Sequence, residues 1–493
     1  MVQELKEVNV NKGKKKKSRG MLSAFSIILI LLGGLGILSH LLPDAQFVGE
    51  KIVNGSGTVG ASLSDVLMSP IKGFESAVDV AIFVMILGGF LAIVSRTGAL
   101  ETGIKVLVQK LKGRELILIP ILMFIFSIGG TTYGMLEETV GFYVLLAATM
   151  MAAGMDPLVG SAVVLLGAGS GVLGSTINPF ATGAAVSALP ESVVANQGII
   201  IMIATFLWLT TLAISIFFVM NYAAKVKRDK GSTFLSLREQ KAAEKSYGKY
   251  AEKAEKEAKL TGKQKATLVI FALTFVVMIV GFIPWGEFGI TFFDKCTGWL
   301  TGASLGNWWF YEAALWFLLM AILIGIINGL GEKGIVDAFV DGADDMVGVI
   351  LIIAVARGAS VLMGVTYLDN YIIYNAANFL QTLPETAFVP LNYLLHVVLS
   401  ILVPSSSGLA TLSTPIIGPL SAQLGYNVEV SVMTMVAANG LVNLITPTCG
   451  AIMGGLALAK VEYSTWFRWA FKIVLAIAVV NIFVLSLFAL FLV

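Results

Sequence analysis

The sequence predicts an all-α polytopic membrane protein built from inverted repeats, with two re-entrant hairpins and two broken helices. Three observations lead there. Of 493 residues, 57% are hydrophobic and only 13% charged, whereas a soluble chain carries about a quarter charged residues. Polar, helix-breaking clusters interrupt membrane-depth sequence at 129–139 (GGTTYGMLEET) and 404–408 (PSSSG). Each is followed by a second interruption, at 174–180 (GSTINPF) and 443–450 (NLITPTCG). Backbone that stops being helical in a bilayer strands N–H and C=O groups at several kcal/mol each, tolerable only beside protein or a wet cavity. Matched pairs of such breaks in two halves of a chain point to a transporter's binding site.

Taken in order, residues 1–20 hold Lys6, Lys12, Lys14–Lys17 and Arg19 against Glu4 and Glu7, a cytoplasmic tail. No small-residue cleavage site follows, so the next apolar run is a retained helix rather than a signal peptide. Scaffold helices are expected over 21–96: a span at 21–42, a polar Gly- and Ser-rich segment at 43–75, and a span at 76–96. A first repeat, 97–221, opens with Ile104, Leu107, Val108 and Leu111 spaced among Lys105, Lys110, Lys112 and Arg114. That is the pattern of an amphipathic helix on the membrane surface. The stretch 115–152 is apolar at both ends with no charged loop between them, which predicts a re-entrant hairpin. A broken helix at 157–189 and a span at 196–221 complete the repeat.

The linker 222–264 carries twelve Lys/Arg against six acids between 225 and 263. Its pairs Glu252/Lys256 and Glu255/Lys259 suggest a solvated helix, and its basicity places it in the cytoplasm. Scaffold helices return over 265–365, with spans at 265–284, 311–329 and 347–363. The last two flank an acidic surface segment containing Glu332, Asp337, Asp341, Asp344 and Asp345. The second repeat, 366–493, holds an amphipathic stretch at 366–382, a hairpin at 386–423, a broken helix at 428–458 and a last span at 465–491. Charge bookkeeping gives nine spans and two hairpins, the N-terminus inside and the C-terminus outside.

At each hairpin tip, helix ends offer free backbone donors and acceptors, and a helix N-terminus attracts carboxylates. Thr131, Thr132, Ser175, Thr176, Asn178, Ser405, Ser406, Ser407, Asn443, Thr446 and Thr448 add neutral polar groups. This chemistry suits a small polar organic solute, and oxygens near Gly130, Asn178, Ser406 and Thr446 suit Na⁺. The plain alternative is that small residues simply let helices pack closely; four clusters in matched pairs argue against it. Glu137 and Glu138 are costly at membrane depth and therefore functional candidates. Adjacent helical positions point about 100° apart, so one acid is expected to face a cation and the other to serve the helix terminus. Arg357 is read first as half of a structural ion pair and second as a ligand contact.

Other signals carry less. Cys296 and Cys449 cannot build a disulfide framework, and His40 and His396 are isolated packing residues. GSGVLG at 169–174 lies in an apolar helix with no preceding strand, so it is no dinucleotide fingerprint. Nothing resembles a nucleophile elbow or metalloprotease motif, so no enzyme, resident cofactor or nucleic-acid partner is expected.

GGTTYGMLEETVGF, GVLGSTINPFATG, AVARG, PSSSG and NLITPTCG, in this order over about 76–460, resemble the YfcC family of the DcuC-like (C4-dicarboxylate anaerobic carrier) group in the ion transporter superfamily. The resemblance implies an elevator-type secondary transporter, commonly a homodimer, in the cell's plasma (inner) membrane. It implies basic amino acids, including arginine/ornithine exchange, while the wider group implies dicarboxylates. By analogy the hairpin tips, Glu137/Glu138, Asn178 and the 446–448 break form the site. Asn439 stands where similar sequences lead one to expect an acid. The leading expectation is an antiporter of small, preferentially cationic amino acids, because neither break contains Arg or Lys for a dicarboxylate. A Na⁺- or H⁺-coupled carboxylate carrier is the alternative, and a passive channel a distant one.

Overall fold

The computed structural model describes residues 24–492 apart from 50, 112, 253–258 and 284. The 1–20 tail and the Glu252/Lys256 and Glu255/Lys259 pairs lie outside the described residues. The chain opens with α1 (Ala24–Leu41), α2 (Leu63–Glu75) and α3 (Val78–Arg96). A first series follows: α4 (Ala99–Leu111), α5 (Leu118–Tyr133), α6 (Val140–Ala152), α7 (Pro157–Gly174), α8 (Ala184–Ser187) and α9 (Gln197–Arg228). Next come α10 (Leu237–Glu252), α11 (Gly262–Phe282), α12 (Phe292–Cys296), α13 (Phe310–Asn328) and α14 (Gly331–Thr366). A second series closes the chain: α15 (Leu368–Leu380), α16 (Glu385–Leu402), α17 (Ser406–Gln423), α18 (Val428–Val442), α19 (Gly450–Leu458) and α20 (Tyr463–Phe491). The second series repeats the first in order, including the interruption between α7 and α8 that answers the one between α18 and α19.

Helix boundaries follow local chemistry. Asp156 caps α7 by accepting from the Val159 N–H, with Pro157 in the first turn, where no N–H is needed. Asn427 caps α18 in the same way through the Val430 N–H. Among the described residues, eight helices are long and apolar enough to cross a membrane, Glu115–Thr132 included. Its helix α5 and the following α6 both pack on α7. Gly167 packs on Met123 and Phe126 of α5, while Gly160 packs on Leu146 and Ala147 of α6. Elsewhere α3, α11 and α13 meet around Phe90, whose ring centroid lies 5.7 Å from Phe271 and 5.0 Å from Phe317.

Two elements differ from the sequence reading. The polar segment 43–75 contains α2, opened by a Ser62/Asp65 capping box and pressed against α14. A Cβ at Gly73 would sit 2.3 Å from the Ala354 carbonyl, so only glycine permits this approach. The acidic surface segment before 347 is the first half of α14, one continuous 36-residue helix. At 1.5 Å per residue it is about 54 Å long, more than a bilayer core of roughly 30 Å. Its exposed acids therefore ride on turns beyond the apolar slab.

The linker also holds α10, which is docked through one buried face. Leu235, Glu239, Ala243 and Tyr247 are buried at a four-residue spacing, while Lys241 and Lys245 stay exposed. The Glu239 carboxylate accepts from the N–H groups of Ser236 (2.7 Å) and Glu462 (2.8 Å) and from the Thr465 hydroxyl (3.0 Å). Tyr247 donates to the Leu458 carbonyl. Upstream, Asp156 accepts from the hydroxyls of Tyr222 (2.5 Å) and Thr233 (2.6 Å). Burial pushes its carboxyl above the ordinary range, against the pull of those two donors. The linker thus ties the start of α7 to the start of α20. Glu239→Ala should cost on the order of 3 kcal/mol, lowering the melting temperature and speeding tryptic cleavage at Lys241 and Lys245. Unchanged melting and cleavage would contradict the docking.

Candidate functional site

The polar interruptions converge on one cavity of about 190 Å³. Helix α5 ends at Gly134, whose φ of +79° turns the chain. The Thr131 hydroxyl accepts from the Thr176 N–H at 3.0 Å and lies 3.1 Å from the Thr176 hydroxyl. The Thr131 carbonyl accepts from the Ile177 N–H at 3.3 Å. The first hairpin tip is thereby stitched to the break after α7. At that break Ser175 takes a left-handed φ of +37°, unfavourable for a side chain with a Cβ. Its hydroxyl donates to the Val172 carbonyl at 2.5 Å and accepts from Asn178 Nδ2 at 2.9 Å. Asn178 Oδ1 then accepts from the Phe180 N–H at 2.9 Å.

The second half solves the same problem with different residues. Ser405 caps α17 by accepting from the Gly408 N–H at 3.2 Å. The Pro404 carbonyl accepts from Asn443 Nδ2 at 3.0 Å, and Asn439 Oδ1 accepts from both Asn443 Nδ2 (3.0 Å) and the Ser406 hydroxyl (2.7 Å). Asn439 is thus a hydrogen-bond hub at the hairpin tip. The Thr446 and Thr448 hydroxyls lie 2.7 Å apart, and Thr448 donates to the Ile401 carbonyl at 3.1 Å. Asn443, only 4% exposed, keeps Oδ1 without a hydrogen-bond partner.

Seven of the residues singled out in the sequence line the cavity: Glu137, Asn178, Ser405, Ser406, Ser407, Asn443 and Thr448. Thr131, Ser175, Thr176 and Thr446 are buried behind it as the stitching just described. Thr132 spends its hydroxyl on the Ile128 carbonyl at 2.7 Å. The Glu138 side chain lies outside the described residues; Glu137 lines the cavity. Of the four positions suggested for Na⁺, Asn178 and Ser406 line the cavity. Gly130 instead packs against Ala168 and Val172. Among the described residues no three His, Cys, Asp or Glu side chains form a metal cluster.

The rest of the lining includes two residues that the sequence reading did not single out, Asp79 and Trp309, and one that it did, Arg357. Asp79 of α3, Trp309 at the start of α13, and Arg357 of α14 line the same cavity. Asp79 accepts from the Val80 N–H and from Trp309 Nε1, both at 2.8 Å. Arg357 is not half of an ion pair among the described residues, where the pairs are Lys105–Glu101 and Lys227–Glu115. Charged residues within the spans were visible signals; that they face the breaks is a tertiary fact. Phe180 meets Trp309 edge-on with centroids 4.5 Å apart, so residues of the first break and of α13 touch at the cavity.

A sequence model of the family described as C4-dicarboxylate anaerobic carrier, DcuC, matches residues 14–489. The chain belongs to this family. It is a transport protein with multiple apolar membrane helices, and its family is one of carriers rather than enzymes. An uncharacterized protein of Haemophilus influenzae is 29% identical over 412 residues, spanning 84% of this chain and 75% of that one. The putative basic amino acid antiporter YfcC of Escherichia coli is 26% identical over 428 residues, spanning 83% and 78%. Two solved structures align along nearly the whole chain at 16% identity. MtrF of Neisseria gonorrhoeae, from a class of antimetabolite efflux pumps, covers 96% of both chains with a TM-score of 0.42. The YdaH transporter of Alcanivorax borkumensis covers 94% of this chain and 96% of its own, with a TM-score of 0.40.

A Cβ on Gly134 would sit 2.7 Å from Asn178 Nδ2 and would have to adopt a left-handed φ. Gly134→Ala should cost on the order of 1–2 kcal/mol for the backbone alone, with a lowered melting temperature and weakened solute binding. A variant with wild-type melting and binding would show that the tip does not depend on this turn.

Proposed function

We propose that the protein is a secondary active antiporter of small amino acids, with cationic amino acids favoured, exchanging them in the arginine-for-ornithine manner. One observation carries this reading: the Glu137 side chain lines the cavity and is in neither ion pair found among the described residues. An ammonium or guanidinium supplies the charge-assisted donors that this carboxylate lacks. The first turn of α17 and the serine hydroxyls offer donors for one carboxylate. The Escherichia coli relative named a putative basic amino acid antiporter supports the same choice.

In this reading both hairpins are re-entrant and the second repeat is inverted. The two repeats move as a transport domain against a scaffold of α3, α13 and α14, in a homodimer with elevator-type alternating access. The protein is multi-pass in the plasma membrane, with its N-terminus and the 222–264 linker inside and its C-terminus outside. Neutral oxygens such as those of Asn178 and Ser406 suit Na⁺ as a coupling ion, and H⁺ is the other choice.

A second reading, a Na⁺- or H⁺-coupled carboxylate carrier, draws on Arg357 and on the family's description. The absence of a cation from the breaks no longer argues against it, because α14 brings one from outside them. Proteoliposomes preloaded with ornithine distinguish the two. Labelled arginine uptake should rise at least about tenfold over empty vesicles, and Glu137→Gln should remove most of that rise, as loss of a charge-assisted contact does. Glu138→Gln should have a much smaller effect. Saturable succinate uptake without arginine exchange would overturn the cationic reading, and uptake without counter-flow stimulation would indicate a channel.

A further inference from the structure

We infer that Arg357 is the anchor that binds a substrate carboxylate. This deepens the amino-acid reading and rests on it, although a dicarboxylate would need the same anchor. A guanidinium inside a membrane helix is expected either to be paired or to serve a ligand. Arg357 is partly buried in α14 and lines the cavity. Its hydrogen bond to protein is a long one, Nη1 to the Ser76 carbonyl at 3.4 Å. No carboxylate lies within ion-pair reach of it among the described residues. Asp79, the acid on the same wall, has an oxygen on the Val80 N–H and the other on Trp309 Nε1. A guanidinium carries five N–H donors in a planar fork, so most of those on Arg357 have no protein partner among the described residues.

The position is built into the fold rather than incidental. At Gly358, the next residue, a Cβ would lie 2.9 Å from the Ser69 carbonyl oxygen, so α14 is seated against α2 at this level. The contact to Ser76 then aims the side chain at the corner between α2 and α3. A carboxylate meets such a fork through two parallel hydrogen bonds, a geometry lysine cannot reproduce. With Glu137 accepting from the cationic end, the cavity reads an amino acid at both ends.

The test is titration of the purified full-length protein, wild type, Arg357→Gln and Arg357→Lys, with arginine, with agmatine (arginine lacking its carboxylate) and with succinate. Wild type should prefer arginine to agmatine by at least about tenfold, the usual scale of a charge-assisted pair. Arg357→Gln should bring that ratio to within about twofold, and Arg357→Lys should restore only part of it. An unchanged ratio in folded Arg357→Gln overturns the proposal. If Arg357→Gln does not fold, the Arg357→Lys ratio decides, a fall supporting the anchor and a wild-type value overturning it. If wild type binds neither amine, the cationic reading fails and succinate decides. Succinate binding weakened at least about tenfold by Arg357→Gln upholds the anchor, and unweakened binding overturns it. A wild-type protein that binds none of the three also overturns it.

Discussion

A helix interrupted in a buried setting must find partners for the N–H and C=O groups it frees, and the whole arrangement depends on how that is done here. Each interruption is satisfied by the one that follows it. Thr131 serves Thr176 and Ile177 in the first half, while Asn443 serves the Pro404 carbonyl in the second. The two solutions are then locked together where α7 meets the second half. A Cβ at Gly440 would sit 2.4 Å from the Leu173 Cα, and one at Gly169 would sit 2.1 Å from a Leu444 methyl. Glycines at these crossings let two broken helices approach closely enough to share one cavity.

The consequence is a division between polar groups that hold the breaks and polar groups left over. Thr131, Ser175, Thr176 and Thr446 are consumed by the first task. Asn443 does both: its Nδ2 holds the hairpin tip and its Oδ1 has nothing to accept from. Rigid stitching behind a cavity lining is the kind of preorganisation that would keep the cost of binding a solute low. The charges come from elsewhere, Glu137 from the turn beside the first tip and Arg357 from a helix outside both repeats.

Much of this was legible in the sequence, because broken helices need Gly, Ser, Thr, Asn and Pro where a membrane span should be apolar. The order of hairpin, broken helix and closing span was readable in both halves, and so was the candidacy of Glu137. What the sequence could not separate was stitching from binding, since a threonine looks the same in either role. It also hid α2, whose polar composition reflects a cap and an approach to α14 rather than a loop. The linker's basic residues masked the four-residue stripe from Leu235 to Tyr247 that docks α10. Asp79 and Arg357 were visible as charges, but their meeting with the breaks depends on how α3, α13 and α14 pack.

The central claim, that both breaks and both hairpin tips surround one ligand cavity, is open to a direct measurement through a residue already in place. Cys449 lines that cavity, while Cys296 is exposed on α12. In a Cys296→Ser protein, the rate of Cys449 alkylation by N-ethylmaleimide is measured with and without saturating arginine or succinate. The structure predicts that one of these solutes slows alkylation by shielding the thiol. Alkylation at the same rate with either solute, under conditions where that solute is transported, would contradict a site at this cavity.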